Sequence, residues 1–202
     1  MSGLPRRTFT LGVAGLGVGL AVGACSSPAA AASPYSGDLR TVALAAALEN
    51  QAVSAYQAVG ALLRGGKLGP AIPALSAFVQ TATAHHVQHA ATWNAILRGA
   101  RKPVVTGTPL SGNGQLMDSI HAASDIDQLV AAVRGMETQA AQTHTAAVGK
   151  LAAAGAALTA AATIAPVEAM HAAALGYLLS GQSAVVGFID TGGALSTTAL
   201  TT

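Results

Sequence analysis

The sequence has few charged residues, few aromatic residues and a single cysteine. Only 9% of its 202 residues are charged and 3% are aromatic, whereas 51% are hydrophobic. The lone Cys25 excludes a disulfide scaffold, and the apolar content excludes a disordered chain. Abundant alanine with so few aromatic side chains disfavours a β-sandwich or barrel. The composition therefore predicts an all-α protein.

The small basic excess of the chain lies at its N-terminus. Ten lysines and arginines face eight aspartates and glutamates, which gives a net charge of +2. Two of these basic residues are Arg6 and Arg7, and all eight acids follow Cys25, so the remainder of the chain is neutral. No polybasic run is present there to bind phosphates, and we expect no nucleic-acid partner.

Residues 1–24 have the pattern of an export signal. An apolar, glycine-rich stretch at 11–22 follows the paired arginines and is shorter than the about 20 residues that span a bilayer. The arginine pair resembles a twin-arginine signal, and Val22-Gly23-Ala24-Cys25 resembles a bacterial lipobox, which implies a lipid on Cys25. The alternative is a plain cleaved signal with an incidental cysteine. We expect an exported protein anchored to the outer face of the cytoplasmic membrane, with residues 25–37 as a flexible tether.

Glycine and proline divide residues 38–180 into four long helical segments. In chain order the segments are predicted at 38–64, 70–98, 124–154 and 156–180, the third beginning near the potential N-cap Ser124. Two short connections flank a long one at 100–124, so the helices form two pairs joined by a crossover. This connectivity predicts a four-helix bundle with a long crossover between its second and third helices. A Gly/Thr-rich C-terminal tail occupies 181–202.

Each segment carries a stripe of apolar residues spaced three and four apart, and acids or histidines interrupt each stripe near its middle. The only three glutamates in the chain, Glu49, Glu137 and Glu168, all lie on these stripes. A buried carboxylate without a partner is costly, and the stripes contain no lysine or arginine. We therefore expect a divalent metal to neutralise the glutamates.

Histidines on the same stripes complete the predicted metal site. His89 follows His86 by three residues, and His171 follows Glu168 by three, so each pair can bind one ion from a single helix face. Carboxylate and imidazole together suit iron, manganese or zinc. The predicted ligands are Glu49, His86, His89, Glu137, Glu168 and His171.

One glutamate on each of two helices, with an i, i+3 pair on each of the others, resembles the ferritin-like di-metal carboxylate proteins. The motifs LENQAVSAY at 48–56, HVQH at 86–89 and PVEAMH at 166–171 look like exported actinobacterial ferritin-like domains. The resemblance covers residues 38–180. It implies a ferritin-like bundle that binds iron, as a di-iron or mononuclear site, or manganese. The ligands it implies are Glu49, His89, Glu137, Glu168 and His171.

His86 departs from the family pattern, in which the second helix offers glutamate at this place. The departure leaves an asymmetric, mixed or single-metal site as the alternative to a symmetric di-iron centre. A second alternative concerns Glu168, because a helix that begins at Pro166 would place this glutamate at N3, where the helix dipole favours it.

Three residues are predicted to surround the ligands. Tyr56 and His144 each follow a glutamate by seven residues on the same helix face, and the alternative for both is ordinary core packing. His85 lies off the stripe and is predicted to be exposed or to support a ligand. The less favoured alternative is that His85 binds the metal itself.

Three functions are compatible with this site. The first is an oxidase or ferroxidase-type enzyme, in which Fe(II) reduces oxygen or peroxide. The second is a protein that sequesters or delivers metal without turnover. The third is a metal-free bundle held by hydrogen bonds and ion pairs. The expected partners are metal ions and the membrane, and a homodimer is compatible with the sequence.

Overall fold

The computed structural model of the protein describes residues 33–70, 72–152, 155–180 and 188–202. These residues form five α-helices and one 3-10 turn, with a single isolated β-bridge. The all-α prediction is therefore confirmed. The helices are α1 (Asp38–Arg64), α2 (Pro73–Gly99), α3 (Asn113–Ala122), α4 (Ile126–Val148) and α5 (Ala156–Ser180).

Several N-terminal and C-terminal predictions fall on other residues. The export signal at 1–24, the lipidated Cys25, the tether as far as residue 32 and the start of the tail at 181–187 lie outside the described residues. The last part of the predicted tether is described, and Tyr35 within it is buried and donates a hydrogen bond to the carbonyl oxygen of Pro103 at 3.2 Å.

The local sequence explains where the long helices begin and end, and the bounds of α2 and α4 differ from the prediction. The bounds of α1 agree with it, and Gly65 follows the last residue. Helix α2 begins at Pro73 rather than at residue 70, because proline fits the first helical position, where no N–H is needed. Helix α4 ends at Val148 instead of about 154, and Gly149 takes the C-cap position.

The start of α4 corrects the predicted N-cap. Asp125, not Ser124, caps the helix, and its carboxylate accepts a hydrogen bond from the backbone N–H of Gln128 at 2.8 Å. Aspartate here also places a negative charge at the positive end of the helix dipole.

Helix α5 runs through Pro166. The alternative in which a helix begins at this proline, with Glu168 at N3, is therefore wrong. Proline inside a helix removes a hydrogen bond and disfavours the conformation by about 3 kcal/mol. Burial of the apolar residues Ile164 and Ala165 beside the proline opposes this cost.

Helix pairing follows the predicted connectivity. Helix α1 packs mainly on α2 and α4 mainly on α5, and the two pairs meet through α1 with α4 and α2 with α5. By length and composition alone, Ala156–Leu179 of α5 could also cross a membrane. In the described residues, however, this helix packs along α4 and buries Glu168, as expected of a core helix of the bundle.

The long crossover contains a helix that the sequence analysis did not predict. The part of the crossover before this helix is attached to α2 by Asn94. The Asn94 side chain donates to the carbonyl oxygen of Val105 at 2.9 Å and accepts from the N–H of Val105 at 2.8 Å. Asn50 of α1 also donates to the carbonyl oxygen of Val105, at 2.8 Å. Further along, α3 buries Ile120 against the bundle.

Residues 199–201 pair with the crossover. Leu200 is buried and forms an antiparallel bridge with Leu110. The N–H of Thr201 donates to the carbonyl oxygen of Pro109 at 2.8 Å, and the N–H of Ser111 donates to that of Ala199 at 3.0 Å. The described part of the C-terminal tail is thus integrated into the fold.

The apolar interior consists of two clusters along the bundle. The Trp93 cluster includes α1 as far as Leu48, and the Tyr56 cluster includes α1 from Ala52 onward. On α2 the Tyr56 cluster extends to Ala82 and the other cluster resumes at Trp93. The buried polar residues of the four long helices lie in the interval between the clusters, and we call this interval the polar layer.

Candidate metal centre

The three glutamates lie in the polar layer, on three different helices. Glu49 projects from α1, Glu137 from α4 and Glu168 from α5, and each is at most 1% exposed. Each occupies a stripe of its helix that otherwise faces the core, so the same periodicity that buries the neighbouring apolar residues buries the carboxylate.

Two histidines of α2 lie among the carboxylates. The Nδ1 atom of His86 is 2.7 Å from Glu49 Oε2, and its Nε2 atom is 3.1 Å from Glu137 Oε1. His89 Nδ1 is 2.8 Å from Glu168 Oε1 and 3.5 Å from Glu49 Oε2. His86 is fully buried, whereas 14% of the His89 side chain is exposed.

His171 of α5 completes the centre. Its Nδ1 atom is 3.4 Å from Glu168 Oε2 and 3.5 Å from Glu137 Oε1. The structure thus brings together all six residues that the sequence analysis proposed as ligands. Their nitrogen and oxygen atoms form two overlapping groups, and the ligand atoms within each group lie within 4.8 Å of one another. The groups are Glu49, His86, His89 and Glu168, and His86, Glu137, Glu168 and His171.

Many polar atoms of this centre make no hydrogen bond. Short distances separate the nitrogen and oxygen atoms, but several of the pairs are not aligned as hydrogen bonds. The buried atoms without a hydrogen-bond partner include Glu49 Oε1, Glu137 Oε2, both oxygens of Glu168, His89 Nδ1 and His171 Nδ1. An unsatisfied buried polar group lowers the stability of a protein by about 1–3 kcal/mol, and a charged group lowers it by more. We therefore expect these atoms to bind a ligand.

The donor set fits a divalent cation. Carboxylate oxygens and imidazole nitrogens are ligands for iron, manganese and zinc. Two ligand atoms on one such ion lie about 3 Å apart, because metal–ligand bonds are about 2.0–2.2 Å long. Contacts of 2.7–3.5 Å between the histidines and glutamates of the centre are close to this spacing. The residues present therefore form a buried His/Glu cluster that could bind metal.

Histidine neighbours favour the ionised forms of Glu49 and Glu137. Burial opposes ionisation of Glu49, but its close contacts with His144, His86 and His89 outweigh burial and hold its pKa well below the usual value. Burial likewise opposes ionisation of Glu137, and the charge of His86 and the close contact with His171 lower its pKa. In the described residues, every ion pair of the three glutamates is made with histidine.

Tyr56 reaches the centre with its hydroxyl group. The hydroxyl donates a hydrogen bond to Glu137 Oε1, and the ring stacks on His86 with centroids 5.6 Å apart. Burial, followed by the charge of Glu137, raises the pKa of Tyr56 well above its usual value, so the hydroxyl remains a donor. Tyr56 is therefore both a core residue and a direct partner of Glu137.

His144 and His85 contact the centre from opposite sides. His144 is fully buried, and its Nε2 atom is 2.8 Å from Glu49 Oε1. Its ring lies parallel to that of Trp93, with centroids 5.6 Å apart. His85 is partly exposed, and its Nδ1 atom is 3.1 Å from the Nε2 atom of His171. Burial lowers the pKa of His85, as do the charges of His171 and the other neighbouring histidines.

The sequence analysis missed two structural supports of the centre. The ring of Phe78 packs edge-on against Tyr56 and His171, with centroids 6.0 and 5.7 Å away. Gln51 is buried and donates a hydrogen bond to Asn113 of α3 at 3.3 Å. The signal for Gln51 was the run of three polar residues at 49–51 inside an apolar helix. Successive helical residues face different sides, so such a run predicts three separate partners.

Comparison with known proteins supports the fold. The family model described as a ferritin-like domain matches residues 68–181, which is more than half of the chain. The matched range contains five of the six candidate ligands but not Glu49, whose place in the centre is supported by its position on the apolar stripe of α1 and by the geometry. No curated protein and no solved structure matches the chain.

The histidine pKa values predict how the metal-free protein responds to alkaline pH. Burial opposes protonation of His89 and His171, but close contacts with the carboxylates of Glu168 and Glu49 raise the pKa of His89 to about 9, and those with Glu137 and Glu168 raise the pKa of His171 to about 8. A raised pKa stabilises the fold below the ordinary value of 6.5, and this contribution is lost as pH rises through the folded value. We expect the free energy of unfolding to fall between about pH 7 and 9.5.

Urea unfolding in the presence of a chelator measures this dependence. The carboxylates do not mask it, because the lowered pKa values of Glu49 and Glu137 act only at acid pH. The double variant His89→Gln/His171→Gln should show a weaker dependence over the same range. A free energy of unfolding that stays constant or rises in the native protein would contradict the prediction.

Proposed function

Since this chain belongs to the ferritin-like domain family, we propose that it is a metalloprotein that binds iron in the polar layer, with manganese as the second choice. The observation that carries the proposal is the pair of overlapping ligand groups with buried, unpartnered oxygens and nitrogens. For a given set of nitrogen and oxygen ligands, Fe(II) binds more tightly than Mn(II). The proposed ligands are Glu49, His86, His89, Glu137, Glu168 and His171.

The preferred activity is an oxidase or ferroxidase-type reaction. Bound iron supplies one-electron redox chemistry toward oxygen or peroxide. The carboxylates of the polar layer favour the more highly charged, oxidised ion, and Tyr56 holds a proton at its hydroxyl, directed at Glu137. A groove of about 320 Å³ between α1 and α2 is lined by Tyr56, Gly60 and Thr83, among others, which brings the surface close to this tyrosine.

A second candidate function is metal sequestration or delivery without turnover. The partial exposure of His85 and His89 favours it, because these histidines form an edge of the centre at the protein surface. The rings of His85 and His171 stack with centroids 5.3 Å apart, so imidazoles extend from this edge to the buried glutamates. Such an arrangement suits the exchange of single ions.

A metal-free bundle is the remaining alternative. Both nitrogens of His86 form hydrogen bonds with carboxylates, and carboxylates act only as acceptors, so a protonated histidine can satisfy Glu49 and Glu137 together. This alternative leaves both oxygens of Glu168 without hydrogen bonds.

We also propose that the protein is exported and attached to the outer face of the cytoplasmic membrane through Cys25. The paired arginines and the sequence Val22-Gly23-Ala24-Cys25 support this proposal.

Removal of single side chains tests the metal site. Glu168→Ala should abolish metal retention, because Glu168 belongs to both ligand groups. His85→Ala should keep the metal content and weaken affinity by at most about 10–100-fold, since His85 only contacts a ligand. Elemental analysis of protein purified from the native cell envelope measures retention. Equal losses in the two variants would show that the ligands on α2 are wrongly assigned.

Anaerobic loading with Fe(II), followed by exposure to air, separates the three candidate functions. Oxygen uptake coupled to the loss of Fe(II), faster than in buffer, is expected for the oxidase. Stoichiometric binding without oxygen uptake would identify the carrier, and no binding would identify the metal-free bundle. Glu168→Ala serves as the control for iron that oxidises in solution.

Substitution of the lone cysteine tests the anchor. Cys25→Ser should move the protein from the membrane fraction to the soluble fraction of the envelope, because the thiol that carries the lipid is lost. Immunoblots of the two fractions measure the change. An unchanged distribution would show that Cys25 does not attach the protein to the membrane.

A further inference from the structure

His86 lies between the two ligand groups and is shared by both. Its two ring nitrogens face different helices, with Nδ1 at 2.7 Å from Glu49 Oε2 of α1 and Nε2 at 3.1 Å from Glu137 Oε1 of α4. The ring is fully buried and stacks on Tyr56 with an interplanar angle of 23°. Each nitrogen is thus directed at a carboxylate that belongs to only one of the groups.

Glu168 is divided between the groups in the same way. Its Oε1 atom is 2.8 Å from Nδ1 of His89, whereas its Oε2 atom is 3.4 Å from Nδ1 of His171 and 3.7 Å from Nε2 of His86. The contacts between these histidines and glutamates therefore divide the ligand atoms into two sets in which no atom is used twice. The first set is Glu49 Oε2, His86 Nδ1, His89 Nδ1 and Glu168 Oε1, and the second is His86 Nε2, Glu137 Oε1, Glu168 Oε2 and His171 Nδ1.

We propose that His86 bridges two metal ions through its imidazole ring, with Nδ1 on the ion held by Glu49 and His89 and Nε2 on the ion held by Glu137 and His171. This proposal rests on the proposed function and adds the number of ions and the nature of the bridge. To bind both ions the ring must release both of its N–H protons to solvent, which metal binding favours. Two divalent cations then balance three carboxylates and one imidazolate, so the buried centre is neutral.

An imidazole bridge determines the distance between the ions. With metal–nitrogen bonds of about 2.0–2.1 Å on opposite sides of the ring, we expect the ions to lie about 6 Å apart. Ions in two-metal sites without such a spacer lie about 3.5–4 Å apart. Replacing the ring by a carboxylate should therefore shorten the separation, and His86→Glu is the informative variant.

Anaerobic titration of the full chain with Mn(II) tests the proposal without reference to activity. We expect two Mn(II) ions per chain by elemental analysis, and two anomalous peaks about 6 Å apart in a crystal of the loaded protein. His86→Glu should also hold two ions, about 3.5–4 Å apart. His121→Gln, on the exposed side of α3, is the matched control and should behave like the native protein.

The outcomes separate this inference from the proposed function. One ion per chain, with His86 remaining between Glu49 and Glu137, would overturn the bridge and leave the metal site intact. Two ions about 3.5–4 Å apart in the native protein would do the same. Absence of any bound Mn(II) or Fe(II) in the native protein would overturn the metal site itself. The native protein decides each case, so the test holds even if His86→Glu fails to fold.

Discussion

The burial of three carboxylates in an apolar helical bundle is the constraint on which the rest of this structure depends. Glu49, Glu137 and Glu168 are almost completely excluded from solvent, and in the described residues their ion pairs are made with histidine alone. A carboxylate in such surroundings is tolerated only when it is paired with a positive group or coordinates a metal. The positions of the histidines and of Tyr56 follow from this requirement.

The polar layer also restricts how the four long helices align. It separates the Trp93 cluster from the Tyr56 cluster, so each helix has one polar level with apolar surface on both sides. Sliding one helix by a single turn, about 5.4 Å, would move a glutamate against leucine or tryptophan and leave its histidine partners surrounded by apolar atoms. Charge pairing therefore complements apolar packing, which by itself distinguishes poorly between neighbouring registers.

The sequence could predict the stripes because helical periodicity is local, and a glutamate on an apolar stripe requires a buried partner of opposite charge. Contacts between distant segments could not be predicted in this way. The unpredicted helix α3, the attachment of Val105 to Asn94 and the contact of His85 with His171 depend on how far the segments rotate and close on one another. Propensity also misled at one place, where alanines near residue 153 suggested a longer α4 than the helix that ends at Val148.

The bridge between Leu200 and Leu110 and the backbone hydrogen bonds beside it hold residues 199–201 against the crossover. The same crossover is attached to α1 and α2 beside the polar layer. Deletion of residues 199–201 would therefore loosen the crossover, although the crossover contains none of the three glutamates. Changes in residues 199–201 therefore affect the stability of the bundle through a segment that is remote from its charged interior.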